Sequence, residues 1–210
     1  MREAILLHTE ELRSEEALTH GGETVLLREC ALPRLRGADS RVPGRVNRYY
    51  RRLEDAEKHA CHTWLLARAA GTADAAHAAA LPFSPLSARL TWETTLLSDT
   101  LWSLCWRWSI QRDETVLFYR QQGEVWDLNT GLPCAVERFI PDKSRRRRLL
   151  RRLRRAAREQ GCQRPGRHGR RLSFTVTGDT ITFYWPPRNG APGEPLHVSL
   201  PLSEISGGTI

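Results

Sequence analysis

The stretch "LWSLCWRWSI", residues 101–110, restricts the fold more than any other part of the chain. Trp102, Leu104, Trp106, Trp108 and Ile110 recur at period two, and Ser103, Cys105, Arg107 and Ser109 fill the alternate positions. Successive side chains of a strand point to opposite faces, so this pattern predicts a strand with one face packed against a helix and the other partly wet. A one-sided strand needs neighbours. "LSARLTW" before it, "TVLFYR" and "EVWDL" after it predict an antiparallel meander over 86–140, with turns at Leu97–Thr100, Gln111–Glu114 and Gln122–Gly123. The chain has 40% apolar residues over 210 positions, enough for one substantial core, and a single domain is expected.

Helices flank the meander. Val46, Tyr49, Tyr50, Leu53, Ala56, Ala60 and Trp64 recur at spacings of three and four, which predicts an amphipathic helix ending at Gly71. An alanine-rich piece follows before Pro82. "TVLLRECALPRL", 24–35, reads as a strand ending near Pro33. Residues 1–20 read weakly, as a short helix or as a strand followed by a helix, and residues 1–23 are taken as an N-terminal extension. "PDKSRRRRLLRRLRRAAREQG", 141–161, predicts a helix capped by Asp142 or Ser144, with Leu149, Leu150, Leu153, Ala156 and Ala157 as its buried stripe. The hairpin "LSFTVTGDTITFYW" and the strand "PLHVSLPL" close the chain, with 204–210 as a flexible tail. The expected fold class is α+β, an antiparallel sheet packed against one long and one arginine-rich amphipathic helix.

The order of these parts resembles a bacterial family of domains related to the extracellular sensor domain of the RsiV anti-sigma factor. The resemblance rests on "RVNRYYRR" at 45–52, "VWDLNTGLP" at 125–133, "RRLLRRLRRAA" at 147–157 and "FTVTGDTITFYWPP" at 174–187, and spans roughly 24–203. It implies one α+β domain over that range. It also implies that Asp127, Asn129 and Gly131 form a structural turn. The region "SIQRDETVLFYRQQ" departs from the family by lacking a Gly-Gly-Ala-His-Gly-like loop.

Chemistry-bearing motifs are few. There is no GxGxxG, P-loop, GxSxG or HExxH pattern, so no cofactor is expected. The five cysteines, Cys30, Cys61, Cys105, Cys134 and Cys162, are widely spaced and read as buried free thiols. His59 and His62 flank Cys61 but point elsewhere on a helix. Glu54 and Glu57 read as lying on or beside a solvated face, and His168 as a solvated loop residue. No stretch reaches the roughly 20 apolar residues of a membrane span, so membrane insertion is not expected. The acidic opening lacks the signal-peptide pattern, and a cytoplasmic location is expected.

One segment makes the chain basic. The formal net charge is +8; Lys143 and the nine arginines of 145–158 contribute +10, leaving −2 for the rest. Packed on one helix, these arginines repel one another. Water and counterions, acidic groups of this chain or a second subunit, and nucleic-acid phosphates all compensate such a face. Arg147, Arg148, Arg151, Arg152 and Arg155 are the candidate contacts for an anion or partner, with Arg164, Arg167, Arg170 and Arg171 as an extension. The leading expectation is a non-enzymatic binding or regulatory domain with an unknown protein partner. The alternatives are nucleic-acid binding through the arginine helix and an enzyme whose site is assembled from distant residues.

Overall fold

The structure is a computed structural model that describes residues 8–37, 41–160, 172–185 and 196–206. Its elements are β1 (His8–His20), β2 (Glu23–Arg36), α1 (Arg41–Ala60), a π-helical turn (Cys61–Leu65), α2 (Leu66–Ala78), β3 (Leu86–Leu97), β4 (Leu101–Arg112), β5 (Thr115–Asp127) and β6 (Leu132–Pro133). A 3₁₀ turn (Val136–Arg138), α3 (Lys143–Glu159), β7 (Ser173–Val176), β8 (Thr180–Trp185), β9 (Leu196–Pro201) and α4 (Leu202–Ser206) follow. Strands β1 to β6 lie in chain order in one sheet, and β7, β8 and β9 form a second. The fold class is α+β. The larger sheet is mixed, because β2 and β3 run parallel, Leu26 opposite Leu86 and Cys30 opposite Leu90. A parallel pair needs a long crossover, and the helical segment 41–78 supplies it. The described residues divide into two compact units, those within 8–92 with 107–119, and those within 93–106 with 120–206.

In the first unit, the acid-rich "HTEELRSEEALTH" is a 13-residue strand, with no helix in it. It pairs antiparallel with β2 through a tight turn at Gly21 and Gly22, both at positive φ (59° and 87°). Two such central residues match the right-handed twist of a hairpin. The helix also departs from expectation. It continues past Gly71 to Ala78, because Ala69 and Ala73 are buried in the core and offset the weak glycine. Its buried positions are Pro43, Val46, Tyr50, Glu57, Cys61, Leu65, Ala69 and Ala73, while Ala56 is exposed and Trp64 is 48% exposed. The stripe is thus rotated from the one the aromatic spacing suggests. Asn47 fixes α1 against β2: its side chain donates to the Leu35 carbonyl at 2.9 Å and accepts from the Leu35 N–H at 2.8 Å. Trp108 is half-buried beside this helical core and meets Phe118 edge-on at 5.2 Å.

In the second unit, residues 102–106 of β4 are buried on both faces. The side expected to be wet is covered because Ser103 Oγ accepts from the Val176 N–H at 2.8 Å and from Thr95 Oγ1 at 2.8 Å. On the aromatic side, the Trp102 indole donates to Thr94 Oγ1 at 3.0 Å, and Trp106 donates to Glu124 at 3.0 Å under the Arg120 guanidinium. Phe174, Val176, Ile181, Phe183, Trp185 and Leu200 form a core with Leu149, Leu153 and Ala157 of α3. Phe174 pairs with Phe183, and Ile181 with Leu200. The segment after Pro201 forms α4, with Leu202 buried and its N–H bonded to the Asp179 carbonyl at 2.7 Å.

Gly123, expected in a turn, lies inside β5, which runs unbroken from Thr115 to Asp127. A Cβ there would sit 2.6 Å from the Phe174 carbonyl carbon and 2.7 Å from its oxygen. Both are backbone atoms in β7 and have little room to retreat. Gly123→Ala is expected to lower stability by ~1–3 kcal/mol through overpacking. A urea midpoint equal to the parent's would refute this close approach.

Candidate functional site

Helix α3 forms because leucines and alanines recur on one face and an acid caps its start. Asp142 accepts from the Arg145 N–H at 2.7 Å and from the Ser144 hydroxyl at 2.6 Å. The Ser144 hydrogen bond, then that of the Arg145 N–H, holds the Asp142 carboxyl below its ordinary pKa. A negative cap also suits the positive end of the helix dipole. Leu149, Leu153 and Ala157 are buried in the second unit's core, which fixes the rotation of the helix. From 147 to 159, the exposed residues are seven arginines and Glu159.

The seven arginines fall into two rows. At 100° per residue, Arg147, Arg151, Arg154 and Arg158 lie within about 60° of one another, and Arg148, Arg152 and Arg155 form a second row about 100° away. The second row is partly neutralised. Arg152 lies 3.6 Å from Glu204, and Arg155 donates to Glu159 at 2.8 Å, a bond that raises the Arg155 pKa. Arg146 folds back to the carbonyls of Ile140 and Pro141 at 2.7 and 2.6 Å. The guanidinium groups of Arg147, Arg148, Arg151, Arg154 and Arg158 have no acidic or hydrogen-bonding partner among the described residues. Of the five arginines singled out in the sequence, Arg147, Arg148 and Arg151 are therefore without a partner among the described residues, and Arg152 and Arg155 have one. Arg154 and Arg158 complete the row that has no partner among the described residues. Helical phase alone places them there. Arg164, Arg167, His168, Arg170, Arg171 and Cys162 lie outside the described residues.

The "WDLNTG" stretch closes on itself. Asp127 Oδ1 accepts from the Asn129 N–H at 2.8 Å and the Thr130 N–H at 3.2 Å, and the Gly131 N–H bonds the Asp127 carbonyl at 2.7 Å. Gly131 has φ +67°. The other Asp127 oxygen pairs with Arg138. Burial opposes ionisation of Asp127, but the Asn129 N–H and the Arg138 guanidinium outweigh it and lower its pKa. Asn129 takes part through its backbone. Both carboxylate oxygens are thus engaged by the chain itself.

A buried ionic cluster in the first unit was not foreseen. Arg28 and Glu57 are each 4% exposed. Arg28 Nε donates to Glu57 Oε2 at 2.8 Å, and Nη2 sits 2.7 Å from the same oxygen without hydrogen-bond alignment. Arg28 Nη1 donates to Ser14 Oγ at 3.1 Å, and the Cys61 thiol donates to Glu57 Oε1 at 3.1 Å. Burial alone would lower the Arg28 pKa; the Glu57 carboxylate reverses that. Glu57 is thus a core residue, and the solvated reading of it is corrected. The signal was present in β2, where Leu26, Arg28, Cys30 and Leu32 alternate on one face with one charge among apolar residues.

Burial, aided by Glu57, pushes the Cys30 thiol up to about 12 and raises Cys61 as well. Nucleophilic and metal-binding cysteines act as thiolates, so both are poorly suited to either role at neutral pH. His62 turns to Glu16 at 3.0 Å, away from Cys61. In the second unit, Gln121 bridges Cys105 Sγ at 3.1 Å and His197 Nε2 at 2.8 Å, and Tyr184, raised to about 12 mainly by burial, bonds Thr175 at 2.9 Å. Among the described residues, no group of three or more His, Cys, Asp or Glu is placed to hold a metal ion. No described helix is long and apolar enough to cross a membrane.

No protein family matches the chain by sequence, and no curated protein does. Solved structures do match. A member of the DUF3298 family from Bacteroides fragilis aligns over 97% of this chain and 94% of that one, with a TM-score of 0.67 and 12% identity. A DUF3298 family protein from Pseudomonas aeruginosa aligns over 93% and 90%, with a TM-score of 0.56 and 12% identity. At this identity the likeness carries the fold.

Proposed function

We propose that this chain is a non-catalytic binding or regulatory domain, built like the RsiV-type sensor domains, that holds an anionic macromolecule against the outer face of α3. The observation that carries this reading is the set of five exposed arginines without partners among the described residues, on a helix whose apolar face is committed to the core. Like charges at helical neighbour spacing destabilise a helix by ~0.2–0.5 kcal/mol per pair. A bound anion removes that cost, so the face is better satisfied occupied than bare. The buried thiols held protonated and the internally satisfied Asp127 and Glu57 support a binding role over a catalytic one. The shared fold with two DUF3298 proteins and the RsiV-like order of motifs support a sensor-type module.

Immobilised heparin, a generic sulfated polyanion, tests the reading. Arg147, Arg151, Arg154 and Arg158 changed together to Gln should elute at clearly lower salt than the parent. The charge-matched change of exposed Arg48, Arg51, Arg52 and Arg68 on the long helix should elute close to the parent. Equal elution of the two variants would show that only net charge matters and would sink the assignment to α3.

A further inference from the structure

Resting on the anion-binding reading of α3, we infer that its partner is the phosphate backbone of a nucleic acid, gripped lengthwise and without regard to sequence by Arg147, Arg151, Arg154 and Arg158. The row is linear. Its members are four, three and four residues apart, so it extends ~16 Å along the helix axis. One strand of a duplex advances 3.4 Å per nucleotide, so about five phosphates fall within that length. Four guanidinium groups, each a planar fork suited to two phosphate oxygens, match that run in number and chemistry.

What the outer face lacks narrows the partner. Its exposed residues from 147 to 159 are arginines and Glu159, with no aromatic or aliphatic side chain among them. Protein interfaces take most of their binding energy from a few buried anchors, chiefly Trp, Tyr and Arg, and of these the face offers arginine alone, with no aromatic residue to form a desolvated centre. An amphipathic helix lying on a lipid surface inserts its apolar side, but Leu149, Leu153 and Ala157 are packed in the core. The face also has no Asn, Gln, Ser or Thr among its exposed residues. Arginine reads guanine edges as well as phosphates, so the sequence-independent grip rests on the match of the row to the phosphate repeat.

The test is fluorescence anisotropy of the full chain with a labelled 20-base-pair duplex at several salt concentrations, repeated with a duplex of unrelated sequence. Four neutralised phosphates give log K against log salt a slope of about −3.6, so binding should weaken ~150-fold between 50 and 200 mM salt. The two duplexes should bind alike. The Arg147→Gln, Arg151→Gln, Arg154→Gln, Arg158→Gln variant should lose most of this slope, and the Arg48, Arg51, Arg52, Arg68 variant should keep it. Matching circular dichroism of parent and variants verifies the fold; if the fourfold variant fails that check, Arg147→Gln with Arg151→Gln should lose about half the slope. No duplex binding at 50 mM salt by a protein that heparin retains through α3 would overturn the nucleic-acid assignment and leave an acidic protein or another polyanion as the partner. Equal loss of slope in the control variant would overturn it as well. Strong preference for one duplex would overturn the sequence-independent grip.

Discussion

Replacing Glu57 by glutamine is expected to destabilise the protein by ~3–5 kcal/mol, since it strands a buried guanidinium without its counter-charge. The substitution nearly preserves volume, so the loss reports the charge and not a cavity. Arg28 is 4% exposed, so water can replace little of the lost counter-charge. Glu57 also receives the Cys61 thiol, so the change disturbs a second hydrogen bond of the same cluster. The paired change Arg28→Met with Glu57→Leu should recover most of the loss, because removing both charges together removes the desolvation cost of each. Urea unfolding of the parent, the single and the double variant reads the difference. A single variant as stable as the parent, or a double variant no better than the single, would count against a charge pair that the fold depends on.

Trp102→Ala should cost a similar amount, ~3–5 kcal/mol, by leaving a large cavity in β4. The side chain is fully buried and its indole N–H is bonded to Thr94. Trp64→Ala is the informative contrast. Trp64 is 48% exposed, and its loss should fall near the ~0.5 kcal/mol range of surface changes. If the two substitutions shifted the urea midpoint alike, the rotation of the long helix described above would be wrong.

Much of this architecture was legible one element at a time. The alternation at Trp102, Leu104 and Trp106 announced β4, and the Leu149, Leu153, Ala157 spacing announced both α3 and its buried face. What eluded the sequence were relations between distant residues. Ser103 is covered by Val176, 73 positions away, and Arg28 meets Glu57 across 29. No local period encodes either. Strand β1 was obscure because acids occupy both of its faces, so it owes its form to pairing with β2; the adjacent Gly21 and Gly22 were the overlooked clue. The candidate site divided the same way. The arginine helix stood out at once, but its split into one row with no partner among the described residues and one partly neutralised row depends on Glu204, Glu159 and helical phase.

The π-helical turn at Cys61–Leu65 bears on how this protein tolerates change in length. Such a turn holds one residue more than a regular helix needs between the same two faces. The buried series Glu57, Cys61, Leu65, Ala69 and Ala73 steps by four throughout, a spacing that would drift off the core in an unbroken α-helix. Losing one residue from 62–64 would turn one step of four into three, the ordinary alternation of an amphipathic helix, and leave both ends facing the sheet. The same loss in α1 or α2 would swing everything beyond it by about 100°. This chain should therefore tolerate the loss of a single residue at this turn, and should be held to a fixed count on either side of it.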